Sequence, residues 1–317
     1  MSRIELAYSL EINDLVDAME ANELWLEGIL SDKRAFECIY EDCEAKITCK
    51  NMDTFADDRK VIPHFIMANR ENMHSASCEV YKEYVERESI RGKSKNERET
   101  NNIGRNVCFH MERPENHRII TRIVSGEGSK NEQDIKREIK RASERRKNRN
   151  SNYYWLNSLI GYYIASYKEG TTHQDTVDID FGKNNKYRYL LSRLFKRIKK
   201  EVEVTNIDKN HYVYFGKGKV FSREDGGYDL VFYEKFLDSE KKVKCVISKN
   251  LIENCQYGRI NKINILETAK GKERFIYVLS SKNISKTYGK VYLNVNNLDC
   301  IAISEIDLDA MDEIIEE

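Results

Sequence analysis

The 317-residue chain balances 53 Lys and Arg against 53 Asp and Glu, with 40% apolar, 10% aromatic and 33% charged residues. This is the make-up of a soluble globular protein, and the length exceeds what one hydrophobic core usually organises, so more than one domain is expected. No run of eighteen apolar residues occurs, and "MSRIELAYSLEINDLVDAME" carries acids where a secretory leader needs a basic start and an apolar stretch, so the reading is a cytoplasmic chain with no membrane partner.

The zero net charge conceals a strong polarity. Residues 1–30 hold seven acids against one base and residues 301–317 hold seven acids and no base, whereas 130–150 holds nine bases against four acids and 183–200 holds eight bases and no acid. Such a chain can present a basic surface to phosphates, or to the acidic ends of another copy, and a homo-oligomer is expected.

In chain order, residues 1–30 space Leu6, Leu10, Leu15, Met19, Leu24 and Ile29 well enough for an acidic helical segment. Residues 31–82 become short, cysteine-bearing pieces, the composition of a small module that needs a metal because its apolar core is thin. Residues 83–150 alternate polar linkers with the charged helix "IKREIKRASERRKNRN". In 151–205 two helices are expected. "NYYWLNSLIGYYIASYK" is apolar almost all round and should be buried, whereas "KYRYLLSRLFKRIKKEV" has one stripe of Tyr187, Leu191, Leu194 and Ile198 and a basic outer face. From 206 to 304 seven strand-like runs, "HYVYFGKGKVFS", "YDLVFYEKF", "KVKCVIS", "INILETA", "RFIYVLS", "KVYLNV" and "CIAIS", are separated by turn signals. They suggest an antiparallel β-barrel or sandwich, followed by an acidic tail at 305–317. The fold class is therefore α+β: N-terminal helices and a small zinc-ribbon-like module, central helices, and a C-terminal antiparallel β domain.

Eight cysteines in a reducing compartment read as thiols or metal ligands, not as a disulfide framework. Cys38 and Cys43, spaced C-x4-C, are followed by His74 and Cys78, spaced H-x3-C. Two ligand pairs on a turn and on one helix face are how tetrahedral zinc sites are assembled, and four protein ligands leave no position for a reactive water, so a structural zinc is expected. Cys49 could stand in for Cys38, and His64 for His74.

"FECIYEDCEAKITC" followed by "KVIPHFIMANRENMHSASCEV" resembles the N-terminal zinc-ribbon region of competence-protein CoiA-like and related bacterial and phage proteins. In that resemblance Cys38, Cys43, His74 and Cys78 match the metal ligands, and His64-Phe65 matches the family's His-Phe pair. It covers about residues 36–80. Members often continue into a nuclease-type domain with paired acids and a lysine. "GYDLVFYEKF" supplies Asp229, Glu234 and Lys235, but the following strand has no acid, so the nuclease inference does not carry over.

Other constellations point less far. "RNVCFH" has the Arg-x4-His spacing of HEPN ribonucleases through Arg105 and His110, yet that motif belongs between long helices and Pro114 follows closely. Gly216 and Gly218 lie between strand residues and read as a bulge or turn in a curved strand, not a phosphate loop. The basic runs offer Arg145, Arg146, Lys147, Arg149, Arg188, Lys196, Lys199 and Lys200 as nucleic-acid contacts, interleaved with tyrosines able to stack on unpaired bases. No Ser-His-Asp set, Cys-His nucleophile pair, HExxH or Walker sequence is present. The expected protein is therefore a non-enzymatic, zinc-stapled binder of nucleic acid or of a nucleic-acid-associated host protein complex. The rival readings are a phage-borne, anti-defence inhibitor or adaptor assembling around a host complex, and a HEPN-like ribonuclease.

Overall fold

The computed structural model describes residues 4, 6–41, 43–54, 61–67, 74, 75, 78, 81, 106–112, 136, 140, 151–182, 185–203, 210–237, 239–280, 285–287 and 290–311. The chain divides into two compact units and is of the α+β class. The first unit comprises Met1–Phe55, Arg59–Asn102 and Arg113–Ser151, the second Ala56–Asp58, Ile103–Glu112 and Asn152–Glu317.

The first unit holds a five-stranded sheet in the order β2-β1-β3-β4-β5. Its strands are β1 (Leu6–Ser9), β2 (Asp14–Asp17), β3 (Phe36–Glu37), β4 (Lys46–Lys50) and β5 (His64–Met67). The expected helix over the first seventeen residues is corrected to the β1–β2 hairpin, paired Leu6 to Asp17 and turned at Asn13, whose φ is 52°. Helix formation begins only at α1 (Ala18–Leu26), where the Asp17 carboxylate accepts the Glu20 amide at 2.8 Å. The helix stops at Gly28, φ 75°, with the Gly28 amide on Trp25 O and the Ile29 amide on Leu24 O, the left-handed stop that glycine permits without a Cβ clash. Periodicity missed the hairpin because both strands are buried on three successive positions and do not alternate. Leu24, Leu30, Phe36, Ile47 and Phe65 form the unit's core, with the Phe36 and Phe65 rings edge-to-face at 5.3 Å.

The second unit contains two sheets. The smaller runs β7-β6-β8-β9, built from β6 (Asn106–His110), β7 (Ser151–Tyr153), β8 (Thr176–Asp180) and β9 (Lys186–Leu190). Strands β6 and β8 are parallel, so they need a long crossover. It includes α2 (Leu156–Glu169), the expected buried helix. The second expected helix is corrected: "KYRYLLSRLFKRIKKEV" forms β9, a single turn α3 (Leu191–Leu194) and β10 (Phe195–Arg197). Lys186 and Arg188 alternate with Tyr187 and Tyr189, a period of two that pairing with β8 exploits. Leu191, Leu194 and Ile198 are fully buried all the same, so the apolar stripe is real although a long helix does not carry it.

The larger sheet has the order β15-β16-β13-β12-β11-β14-β17, with β10 added beside the start of β11. Its members are β11 (Val213–Ser222), β12 (Tyr228–Phe232), β13 (Lys244–Ile247), β14 (Glu273–Leu279), β15 (Ser285–Thr287), β16 (Lys290–Leu293) and β17 (Ile301–Ser304). Among the described residues the sheet is open and mixed, with β10/β11 and β13/β16 parallel, so of the expected antiparallel barrel or sandwich the closed barrel is not found and the pairing is not purely antiparallel. Gly216 and Gly218 lie inside an unbroken β11 ladder and not at a bulge. A Cβ at Gly218 would come 2.5 Å from the carbonyl oxygen of Val231, so close approach of the next strand explains the residue. Of the seven expected strands, "INILETA" is instead helical and belongs to α5 (Arg259–Ala269), which follows the short α4 (Lys249–Glu253). Its buried positions Lys262, Leu266 and Ala269 fall at helical spacing, and Lys262 closes an ion pair with buried Asp299. Among the described residues no helix is long and apolar enough to cross a membrane.

Candidate metal centre and basic cleft

The first unit brings together the four side chains singled out by spacing. Cys38 and Cys43 flank the β3–β4 connection, where the Cys38 amide bonds Ala45 O at 2.9 Å and the Cys43 amide closes a turn on Tyr40 O at 3.0 Å. His74 and Cys78 approach from the other side, the Cys78 amide bonding Ser75 O at 2.9 Å. Cys38, Cys43 and Cys78 are at most 1% exposed and His74 is 7% exposed, so solvent is shut out. Cys38 Sγ lies 3.6 Å from Cys78 Sγ, while His74 Nδ1 lies 3.3 Å from Cys43 Sγ and 3.4 Å from Cys78 Sγ. With Zn–S near 2.3 Å and Zn–N near 2.0 Å, the edges of a tetrahedral site are roughly 3.5–3.8 Å, so the four atoms already outline one. The sulfur separation is far outside the ~2.05 Å of a disulfide. The cluster is therefore a buried set of four ligands compatible with a metal ion.

Cys49 and His64 lie outside this set. Cys49 faces the core from β4, its sulfur 3.9 Å from Ala18 O, and His64 Nδ1 lies 2.9 Å from Ile62 O. The hydrogen bond shared with Cys78, together with burial, pushes the Cys38 thiol up, while the same bond, supported by His74, draws Cys78 down against the opposing effect of burial.

Sequence reading missed the cations beside the cluster. Lys136 and Lys140, both helical, come from the expected charged helix "IKREIKRASERRKNRN". Lys140 is 1% exposed and donates to Cys43 O at 2.9 Å, and Lys136 pairs with buried Glu37, which also binds Lys46 at 2.7 Å. A divalent ion held by three thiolates and a neutral imidazole would carry net charge −1, which the buried Lys140 side chain is placed to offset. Spacing of four puts both lysines on one helix face, the signal that could have revealed them.

In the second unit the basic residues separate. Arg188 forks onto Asp178, Nε to Oδ1 at 2.7 Å and Nη2 to Oδ2 at 2.9 Å, which accounts for its charge within the sheet. Lys196 sits half-buried over the Tyr212 ring at 5.0 Å, and Lys199 and Lys200 are exposed. Lys196, Arg197 and Lys199 line a cleft of about 340 Å³ together with Tyr163, Phe195 and Phe215. Arg197 stacks on Phe215 and pairs with Asp307 at 2.7 Å, so part of the acidic tail is folded against the basic rim. Arg145, Arg146, Lys147, Arg149 and Arg105 lie outside the described residues. His110 stands on a strand and not between helices as the ribonuclease reading requires.

Strand alternation exposes one more polar assembly that motif reading passed over. In register, Cys108 faces Asp178 and Arg188, and His110 faces Asp180 and Lys186, while Val107, Phe109, Val177 and Ile179 fill the opposite face. Asp178 accepts from Arg188 and, at 2.9 Å, from Asn106, with Lys186 3.3 Å away, and these partners hold its carboxyl down to about 2. Burial pushes the Cys108 thiol up. Comparison with protein-family models, curated proteins and solved structures returns no match for this chain, so the geometry of these sites is the basis for a functional reading.

Proposed function

We propose that this protein is a non-enzymatic nucleic-acid-binding protein whose first unit is held together by a structural zinc ion. Cys38, Cys43, His74 and Cys78 supply the ligands, the same four that the zinc-ribbon resemblance singles out, and their burial suits an ion that never meets substrate. The observation that carries the binding role is the cleft of about 340 Å³ in which three cationic side chains adjoin three aromatic rings. Unpaired nucleotides need this combination: ammonium groups for phosphates, and apolar or aromatic surface for bases of any identity. Lys196, Lys199 and nearby Lys200 would meet phosphates, whereas Arg197 is engaged by Asp307 and shapes the wall.

The test is a salt titration of binding to a fluorescent single-stranded oligonucleotide, as DNA and as RNA. Three phosphate contacts give a slope of log K against log salt of about −2, and Lys196→Gln with Lys199→Gln should flatten it to about −0.7. A flat response in the parent protein, or an unchanged slope in the double variant, overturns the reading. Retention of a stoichiometric protein partner after nuclease digestion, without oligonucleotide affinity, would replace it with assembly around a host complex.

A further inference from the structure

We propose that Cys108, His110 and Asp180 form a second divalent-metal site, a three-ligand one that leaves a coordination position for water. Their ligand atoms, one from each side chain, all lie within 4.8 Å of one another, on the polar face of the β6–β8 pair. The hydrogen bonds around His110 make the case. His110 Nε2 lies 2.8 Å from Asn152 Oδ1, and His110 Nδ1 lies 3.3 Å from Asp180 Oδ2. An amide oxygen and a carboxylate both only accept, so Nε2 carries the proton given to Asn152, and the Nδ1 lone pair of a neutral ring then points at a carboxylate oxygen. A cation must lie between them, either a proton or a metal.

Three features favour the metal. Cys108 Sγ lies within 4.8 Å of both the His110 and the Asp180 ligand atoms, a proximity that a shared proton does not need. A spacing of 3.3 Å is about the edge of a tetrahedron whose N and O ligands sit roughly 2.0–2.1 Å from a zinc-like ion. Both outer partners are already in place: Asn152 fixes the imidazole tautomer, and the Gly182 amide holds Asp180 Oδ1 at 2.8 Å, which leaves Oδ2 for the ion. Asp178, saturated by Arg188, Asn106 and Lys186, is not a fourth ligand. Unlike the first cluster, this one opens to solvent, with the His110 and Asp180 side chains 21% and 28% exposed. Thiolate, imidazole and carboxylate together select a borderline ion of the zinc or cobalt type over magnesium or calcium. Binding converts the Cys108 thiol to a metal thiolate and releases its proton to solvent, and Lys186, beside the sulfur, compensates the new negative charge.

Metal content of the full-length protein tests this. After dialysis against Co2+ and removal of excess, we expect two equivalents, the second adding one sulfur-to-cobalt charge-transfer band. His110→Gln and, separately, Asp180→Asn should bind one equivalent, and Asn152→Ala should weaken the second about 10- to 100-fold. The parent count decides by itself even if a variant misfolds: a total of zinc plus cobalt of a single equivalent under saturating Co2+ overturns the proposal. So does a second equivalent that survives in both His110→Gln and Asp180→Asn.

Discussion

At the scale of single residues, the first cluster buries three sulfurs and one nitrogen in an arrangement compatible with a metal ion. Cys78→Ala removes a ligand on which His74 and Cys38 both converge. Bound zinc should fall from about one equivalent to below a tenth, and the first unit should lose its protection in amide exchange, because metal binding and local folding are one equilibrium in such modules. Elemental analysis and exchange mass spectrometry check both. Tyr228 offers a separate, titratable example. Burial and the Glu267 carboxylate, which its hydroxyl meets at 2.5 Å, push its ionisation up to about 12. A free tyrosine ionises near ~10, so the folded state favours the neutral phenol. Stability from this group is therefore complete below about pH 10 and declines as pH rises toward 12. Urea midpoints compared between pH 9 and pH 11.5 should fall more steeply for the parent than for Tyr228→Phe.

At the scale of elements, α5 is fastened to the large sheet's unit through a charge as well as an apolar face. Lys262 is 6% exposed, pairs with Asp299, donates to Tyr257 O at 2.9 Å and lies 4.4 Å above the Trp155 ring. Removing one partner of a buried pair strands the other charge in low dielectric. Asp299→Ala should therefore cost about 3–5 kcal/mol, and replacing both groups, Lys262→Met with Asp299→Leu, should recover most of it. Equilibrium denaturation of the two variants separates the cost of stranding a charge from the net worth of the pair. The helix also shows why a strand was expected. "INILETA" is rich in β-branched and apolar residues, and its helical spacing becomes visible only when buried Lys262 is counted with Leu266 and Ala269.

At the scale of the whole molecule, the two units have separate cores, one supported by the four-ligand cluster and one built on the large sheet. Calorimetry of the full chain should resolve two transitions. A chelator strong enough to strip zinc should lower or abolish the one belonging to the first unit, with little change in the other. A single transition moving as a whole would show that the units unfold together.

The sequence by itself singled out the four residues of the first cluster, the buried helix α2 and most strands of the large sheet, because these rest on local spacing: two Cys/His pairs four or five residues apart, a 3.6-residue apolar repeat, and β-rich runs between turn signals. Tertiary structure alone excluded Cys49 and His64, since the side of the sheet each faces is a matter of register. It alone turned Lys140 from a surface charge into a buried one. It alone assembled Cys108, His110 and Asp180, because parallel pairing of β6 with β8 joins residues some seventy positions apart, and no local pattern encodes which strand will lie beside which.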